Sequence, residues 1–188
     1  MTTTHLITSL EELESQYPAP RRSSSSKVQN CLTEPMRNWL AHSPFFVLSS
    51  VATCSIDCSP RGDKPGEAFQ VIDRNTIAIP DRRGNNRIDT LKNILKDPRV
   101  GLVFLIPGIE EALRIKGTAS VSINPTLLNR FTLDGSRPVT VMLITVESAY
   151  VQNARAIRAA DLWNSDSNVS SEDVPSVEEL YNRPKLPT

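Results

Sequence analysis

The stretch Ile79–Leu91, "IPDRRGNNRIDTL", sets Arg82, Arg83 and Arg87, two asparagines and Gly84 between an apolar run and a helical pattern. Three guanidinium groups in one turn can give charge-assisted, bidentate hydrogen bonds to a phosphate or carboxylate. The pattern predicts a strand ending at Pro80 and a helix opening near Ile88, with Asn86 as its N-cap and Asp89 in its first turn. A helix's first turn carries unpaired backbone N–H groups and partial positive charge, which suit an anion. Gly84 lets the backbone approach closely and take positive φ. The competing reading is a well-capped helix beside solvated arginines, and Asp89 opposes a dianion at that end. Neither GxxxxGK[ST] nor GxGxxG occurs, so the stretch predicts an anion site without naming the ligand.

Any such recognition is local, because Lys+Arg and Asp+Glu both count 21 in 188 residues. A basic excess that would suit nucleic acid is missing. Cys31, Cys54 and Cys58 are odd in number and form no CxxC pair, so a reducing compartment is expected. Cys54 and Cys58 are expected to be small buried residues rather than a redox pair. His5 and His42 stand far from the cysteines and outside the strand region, which argues against zinc and against a Ser-His-Asp set. Glu110-Glu111 follows the turn Pro107-Gly108, and a general acid or base role there is the weaker reading. With no signal-peptide pattern and no membrane-length apolar run, the chain reads as cytoplasmic, without membrane or nucleic-acid partners.

The elements that must hold the arginine turn are mostly strands. Phe45–Cys54, Phe69–Asp73, Thr76–Pro80, Val100–Ile106, Ala112–Ile123 and Val139–Val146 carry the β-branched and apolar patterns of six strands, the last with a continuation to Val151 left open. Ser55–Gly66, "SIDCSPRGDKPG", is dense in turn formers. Short helices are expected after Ser9, after Thr33, over Ile88–Leu95, over Pro125–Phe131 and over Ala154–Trp163. "PAPRRSSSSK" (Pro18–Lys27) reads as a linker. The acidic, serine-rich segment from Ser165 reads as an extended or disordered arm with a brief helix at Val177–Tyr181. The chain thus divides into residues 1–43 (helices and linker), a β domain over 44–164, and an arm over 165–188. Mostly hairpin-length connections predict a mainly β fold, a small barrel or sandwich with helices over its openings.

Three long motifs carry a family resemblance: Asp57–Asp63 with Pro65-Gly66, Pro80–Ile94, and Asp97–Ala119, "DPRVGLVFLIPGIEEALRIKGTA". With these the chain resembles the pyridoxamine 5'-phosphate oxidase-like flavoproteins of the FMN-binding split-barrel superfamily, over roughly Pro44–Trp163. The resemblance implies a six-stranded Greek-key split β-barrel with flanking short helices, forming a homodimer with FMN at the subunit interface. It implies that Arg83, Asn86 and Arg87 contact the FMN phosphate, with Arg61 approaching from a neighbouring strand. Arg114 would lie beneath the isoalloxazine, while Gln152, Arg155 and Trp163 would come from the other subunit. The late segment "QNARAIRAADLW" differs from the subgroup's "QCAKAxxRSxLW", with Asn153, Arg155 and Ala159 replacing cysteine, lysine and arginine. Arg158 stands one position early, a rotation of about 100° on a helix. Ser136-Arg137-Pro138 continues as "VTVMLI" rather than as the substrate segment of the true oxidases, so that reaction is not assigned. The implied activity is an FMN-dependent oxidoreductase on an unknown small molecule, with no proton-transferring catalytic residue evident. The alternatives are a non-catalytic flavin binder or sensor, and an F420-dependent reductase on the same fold.

Overall fold

The structure, a computed structural model, describes residues 5–18, 27–84, 86–153 and 155–181. Most of the linker reading (19–26) and the end of the acidic arm (182–188) lie outside the described residues. The alternating and apolar runs become β1 (Phe45–Ala52), β2 (Ser55–Gly62), β3 (Gln70–Val71), β4 (Thr76–Asp81), β5 (Arg99–Leu105), β6 (Ala112–Ser122) and β7 (Thr140–Gln152). They form one antiparallel sheet in the order β2-β1-β5-β6-β7-β4-β3. The helices are α1 (Leu10–Ser15), α2 (Glu34–Leu40), α3 (Asp89–Lys96), α4 (Pro125–Arg130), α5 (Arg155–Ala159) and α6 (Val177–Tyr181). No described helix is long and apolar enough to cross a membrane.

The sheet curls until its far ends meet through side chains. Phe46 on β1 stacks on Phe104 of β5 at 5.0 Å, and Phe69, just before β3, meets the two rings at 5.6 and 4.8 Å. Since β1 and β3 stand near opposite ends of the strand order, these contacts close the core without a backbone ladder. Leu48, Ile77, Leu102, Ile115, Met142 and Ile144 fill the same core, almost wholly buried. Each such side chain contributes roughly 1.5–3 kcal/mol of apolar transfer. Among the described residues β2 pairs only with β1 and β3 only with β4, which leaves a split between the sheet's edges.

α3 covers part of this split. Its Leu91 and Ile94 are buried in the core, and Asn93 Nδ2 donates to Ser50 Oγ at 3.2 Å in the interior. Pro80 is tolerated in β4 because β3 pairs no further than Ala78, leaving one side of the strand open. α2 begins as read, with Thr33 Oγ1 accepting the Met36 N–H, and packs Met36, Trp39 and Leu40 on the core. α4 covers the other face of the β4–β7 region, where Phe131 joins Ala78 and Val141 in a second small core. β6 and β7 slip register at Lys116/Gly117, and a Cβ on Gly117 would stand 1.9 Å from the Thr145 carbonyl oxygen. Only glycine fits that bulge.

Several expectations are corrected. There are seven strands rather than six, because Ser55–Gly62 pairs along its whole length with β1 instead of forming a long turn. Its serines, aspartate and Pro60 are compatible with an edge strand, where one side needs no ladder. The strand expected over Phe69–Asp73 shrinks to two residues, since Phe69 turns into the core. Asn86 does not cap α3. The helix starts at Asp89, and Ile88 holds the capping position with φ of +49° and no side-chain cap. Cys54 and Cys58 are exposed rather than buried, being at the β1–β2 turn and on the outer side of the edge strand. The helix read over Ala154–Trp163 is only α5, followed by turns.

Candidate functional site

Alternation along β2 turns Asp57, Ser59 and Arg61 to one side, successive side chains about 6.7 Å apart. That side faces the split. Asp81 at the end of β4, the Arg82–Arg87 loop, the first turn of α3 and Thr140 at the start of β7 complete a cavity of about 570 Å³. The cavity is lined by four arginines (Arg61, Arg82, Arg83, Arg87) and three aspartates (Asp57, Asp81, Asp89), a surplus of one positive charge.

The charges are not equally available. Arg61 Nη1 bonds Asp81 Oδ1 at 3.2 Å across the split. Arg82 donates to the Phe131 carbonyl at 3.0 Å and lies 3.7 Å from Asp63. Arg87 Nε reaches Asp89 at 3.0 Å, and Lys92 lies 3.6 Å from the same carboxylate. Arg83 is exposed and makes no ion pair among the described residues. Arg61 Nε and Thr140 Oγ1 are buried without a hydrogen-bond partner among the described residues, and both residues line the cavity. Buried polar atoms are nearly always satisfied, so two orphans in one cavity indicate a missing partner.

The backbone of the loop is strained where it enters α3. Asn86 and Ile88 have φ of 59° and 49°. The left-handed region suits asparagine, whereas for a β-branched residue it costs roughly 1–3 kcal/mol. With no side-chain cap at Ile88, the first N–H groups of α3 stand at the cavity wall. Opposite them, Asp57 Oδ2 accepts Ser59 Oγ at 2.8 Å and Thr90 Oγ1 at 2.5 Å. Burial raises the Asp57 carboxyl, but the Thr90 and Ser59 hydroxyls, the Cys58 amide and the Arg61 charge together hold it below its usual value.

Of the residues expected to contact a cofactor, Arg61, Arg83, Asn86 and Arg87 come together at this cavity. The other four do not line it. Arg114 on β6 stands opposite Tyr150 on β7, its guanidinium 5.3 Å from the ring centroid, and donates to Gln152 Oε1 at 3.0 Å. Trp163 donates its indole N–H to the Ile109 carbonyl at 2.8 Å, and Arg155 is exposed on α5. Arg158, one turn on, pairs with Glu110 and holds that carboxyl below its usual value. Glu110 is thus committed to an ion pair.

Asp57, Ser59, Thr90 and Thr140 escaped the sequence reading. The alternation Asp57-Ser59-Arg61 would have exposed the first two had "SIDCSPRG" been read as a strand. Thr140 carries no local signal, because its position depends on β7 pairing with Asp81.

A family model described as "Pyridoxamine 5'-phosphate oxidase" matches residues 32–153, more than half of the chain. No curated protein matches the sequence. Among solved structures, HupZ of Group A Streptococcus superposes with a TM-score of 0.51 at 18% identity, covering 63% of this chain and 92% of its own. A protein of Lactobacillus delbrueckii, described as a candidate pyridoxamine 5'-phosphate oxidase, gives a TM-score of 0.51 at 18% identity, covering 65% and 95%. At such identities these structures establish a shared fold.

Proposed function

The chain belongs to the pyridoxamine 5'-phosphate oxidase family, and on that premise we propose that it is an FMN-dependent oxidoreductase acting on a small molecule. The observation that carries the reading is the cavity in the split, where Arg61 Nε and Thr140 Oγ1 are buried without partners among the described residues, beside the exposed Arg83. A phosphomonoester answers each of these groups, since its oxygens accept from guanidinium, hydroxyl and backbone N–H donors alike.

FMN, when bound, supplies hydride transfer at its flavin N5. The chain's own residues bind and orient. Arg83 and Arg61 offer donors to the phosphate, and Arg87, exposed at the same cavity, adds positive charge beside them. The β6–β7 ladder holds Arg114 over the Tyr150 ring, a fixed positive charge able to stabilise an anionic ring edge.

Completion of the site by a second copy is part of the proposal. Arg155 and Trp163 lie away from the cavity in their own chain. The outer face of β2-β1-β5 presents Ile56, Val47, Val51 and Val103 in adjoining rows, with Ile56 84% exposed. An apolar face of this kind suits a protein partner.

The direct test is a fluorescence titration of the purified protein with FMN. Micromolar binding is expected, and replacing Arg83 and Arg87 together with glutamine should weaken it by about a hundredfold, two charge-assisted contacts being lost. Undiminished retention in that double variant would remove the reading. Sustained oxidation of reduced nicotinamide by the FMN-loaded protein separates catalysis from passive flavin binding.

A further inference from the structure

The two buried atoms left without a hydrogen-bond partner among the described residues, Arg61 Nε and Thr140 Oγ1, both belong to neighbours of one residue, Asp81. Asp81 closes β4, where it stands opposite Thr140 in the ladder and its carbonyl accepts the Val139 N–H at 3.0 Å. Its carboxylate reaches the other way, across the split to Arg61 on β2. Among the described residues it is the only hydrogen-bonding partner of Arg61, and the two side chains are just 23 and 20% exposed. Asp57, two residues back on the same face of β2, feels the Arg61 charge, while Ser59 and Thr90 bond its oxygen. A second ion pair crosses the same gap in the opposite sense, Arg82 Nε lying 3.7 Å from Asp63. Arg82, however, is also held by the Phe131 carbonyl. Arg61 depends on Asp81.

Resting on the reading of the cavity as a phosphomonoester site, we infer that Asp81 is a positioning residue: it holds Arg61 across the split, so that the guanidinium meets the anion already ordered. Arginine carries its N–H groups on a long stem with much rotamer freedom. An anion that had to immobilise that stem itself would bind more weakly. The arrangement runs against simple electrostatics, because a carboxylate beside an anion site repels the anion. Paired with Arg61, the Asp81 charge is answered by the guanidinium, and the gain in order exceeds the repulsion that remains. The two effects have opposite sign, and only the favourable one needs Arg61. A purely structural role at the end of β4 would not depend on Arg61 at all. A role in fastening the two edges together would be shared by the Arg82–Asp63 pair.

Calorimetric titration of the full-length chain with inorganic phosphate, run as a double-mutant cycle, reads these signs. Asp81→Ala is expected to weaken phosphate binding by about fivefold, the effect of leaving one long side chain to be ordered by the ligand. In an Arg61→Gln background the same substitution is expected to strengthen binding by about twofold, since Asp81 is there only a like charge. Asp63→Ala is expected to change the affinity by less than about twofold, because Arg82 keeps its bond to Phe131. If the Asp81→Ala variant does not fold, Asp81→Ser, shorter and neutral, carries the same expectation in both backgrounds. Equal weakening with and without Arg61, or as great a loss from Asp63→Ala, overturns the inference and leaves Asp81 a structural residue. Tighter binding by Asp81→Ala alone overturns it too, and so does absence of phosphate binding by the unaltered chain. A parallel FMN titration keeps the two readings apart. Reversal of sign without FMN binding retains the role of Asp81 and removes the flavin; FMN binding without the reversal does the opposite.

Discussion

The mouth of the split and the outer end of the β6–β7 ladder both present arginines, yet they are built in opposite ways. At the mouth, Arg61 Nε and Thr140 Oγ1 are buried and unpartnered among the described residues, and Ile88 holds a left-handed backbone. At the outer end, Arg114 bonds Gln152 and covers Tyr150, Trp163 bonds Ile109, and Arg158 pairs with Glu110. One region keeps unsatisfied groups and strain in a cavity; the other settles its polar groups among themselves on a surface. A single chain therefore keeps unspent hydrogen-bonding capacity at the mouth, while the polar groups at its outer end satisfy one another.

The sharpest way to break this contrast is to open the split. Phe69→Ala removes the ring that joins the last strands to β1, and a loss of about 3–5 kcal/mol in urea unfolding is expected, with FMN retention lost alongside it. Stability left intact would mean that something other than this aromatic contact closes the barrel. Next in size is the surface. Val103→Glu places a charge in the middle of the apolar rows on the outer face. If a second copy covers that face, light scattering should show a dimer for the unaltered protein and a monomer for the variant.

Strain at the mouth gives a smaller signal. Glycine elsewhere in a folded chain is usually worse than alanine by about 0.5–1 kcal/mol. At Ile88 the order should invert: Ile88→Gly is expected to be more stable than Ile88→Ala by about 1 kcal/mol, because only glycine escapes the left-handed penalty. An alanine variant at least as stable would show that the loop relaxes without cost.

The smallest effect is in pH. Asp57 at the mouth and Glu110 at the outer end are both held below their usual values of 3.8 and 4.5. A depressed folded-state pKa adds stability that is fully present above the unfolded value and disappears as pH falls through the folded one. Both contributions should therefore begin to decline as pH falls below those usual values and be gone only below the lower folded-state ones. The Glu110–Arg158 pair is exposed and screened by salt, whereas the Asp57 hydroxyl bonds are not. In high salt, Asp57→Asn should still flatten the acid limb of the urea midpoint and Glu110→Gln should not. Equal flattening by both would place the two carboxylates in the same kind of environment.

Much of the mouth was legible in the sequence. The run from Pro80 to Ile94 announces its chemistry through residue types alone, because guanidinium groups, a glycine and a helix start can be recognised without knowing their neighbours. The starting point of α3 was misread, since an asparagine before a helical pattern looks like a cap whether its φ is negative or, as at Asn86, positive. β2 was misread for a related reason. Serine, aspartate, proline and glycine favour turns locally, and only pairing with β1 along all eight residues makes them a strand.

The sequence by itself determined the strand-rich frame, the buried apolar faces and the concentration of positive charge beside Gly84, because periodicity and side-chain chemistry are properties of neighbouring residues. Tertiary structure alone decided that Asp57, Ser59, Thr90 and Thr140 join that charge around one cavity, and that Arg114 and Trp163 stand apart from it. Those relations are set by the curl of the sheet, which brings β2 to β4 across a gap no backbone ladder spans, and a contact between such distant segments leaves no mark on either one.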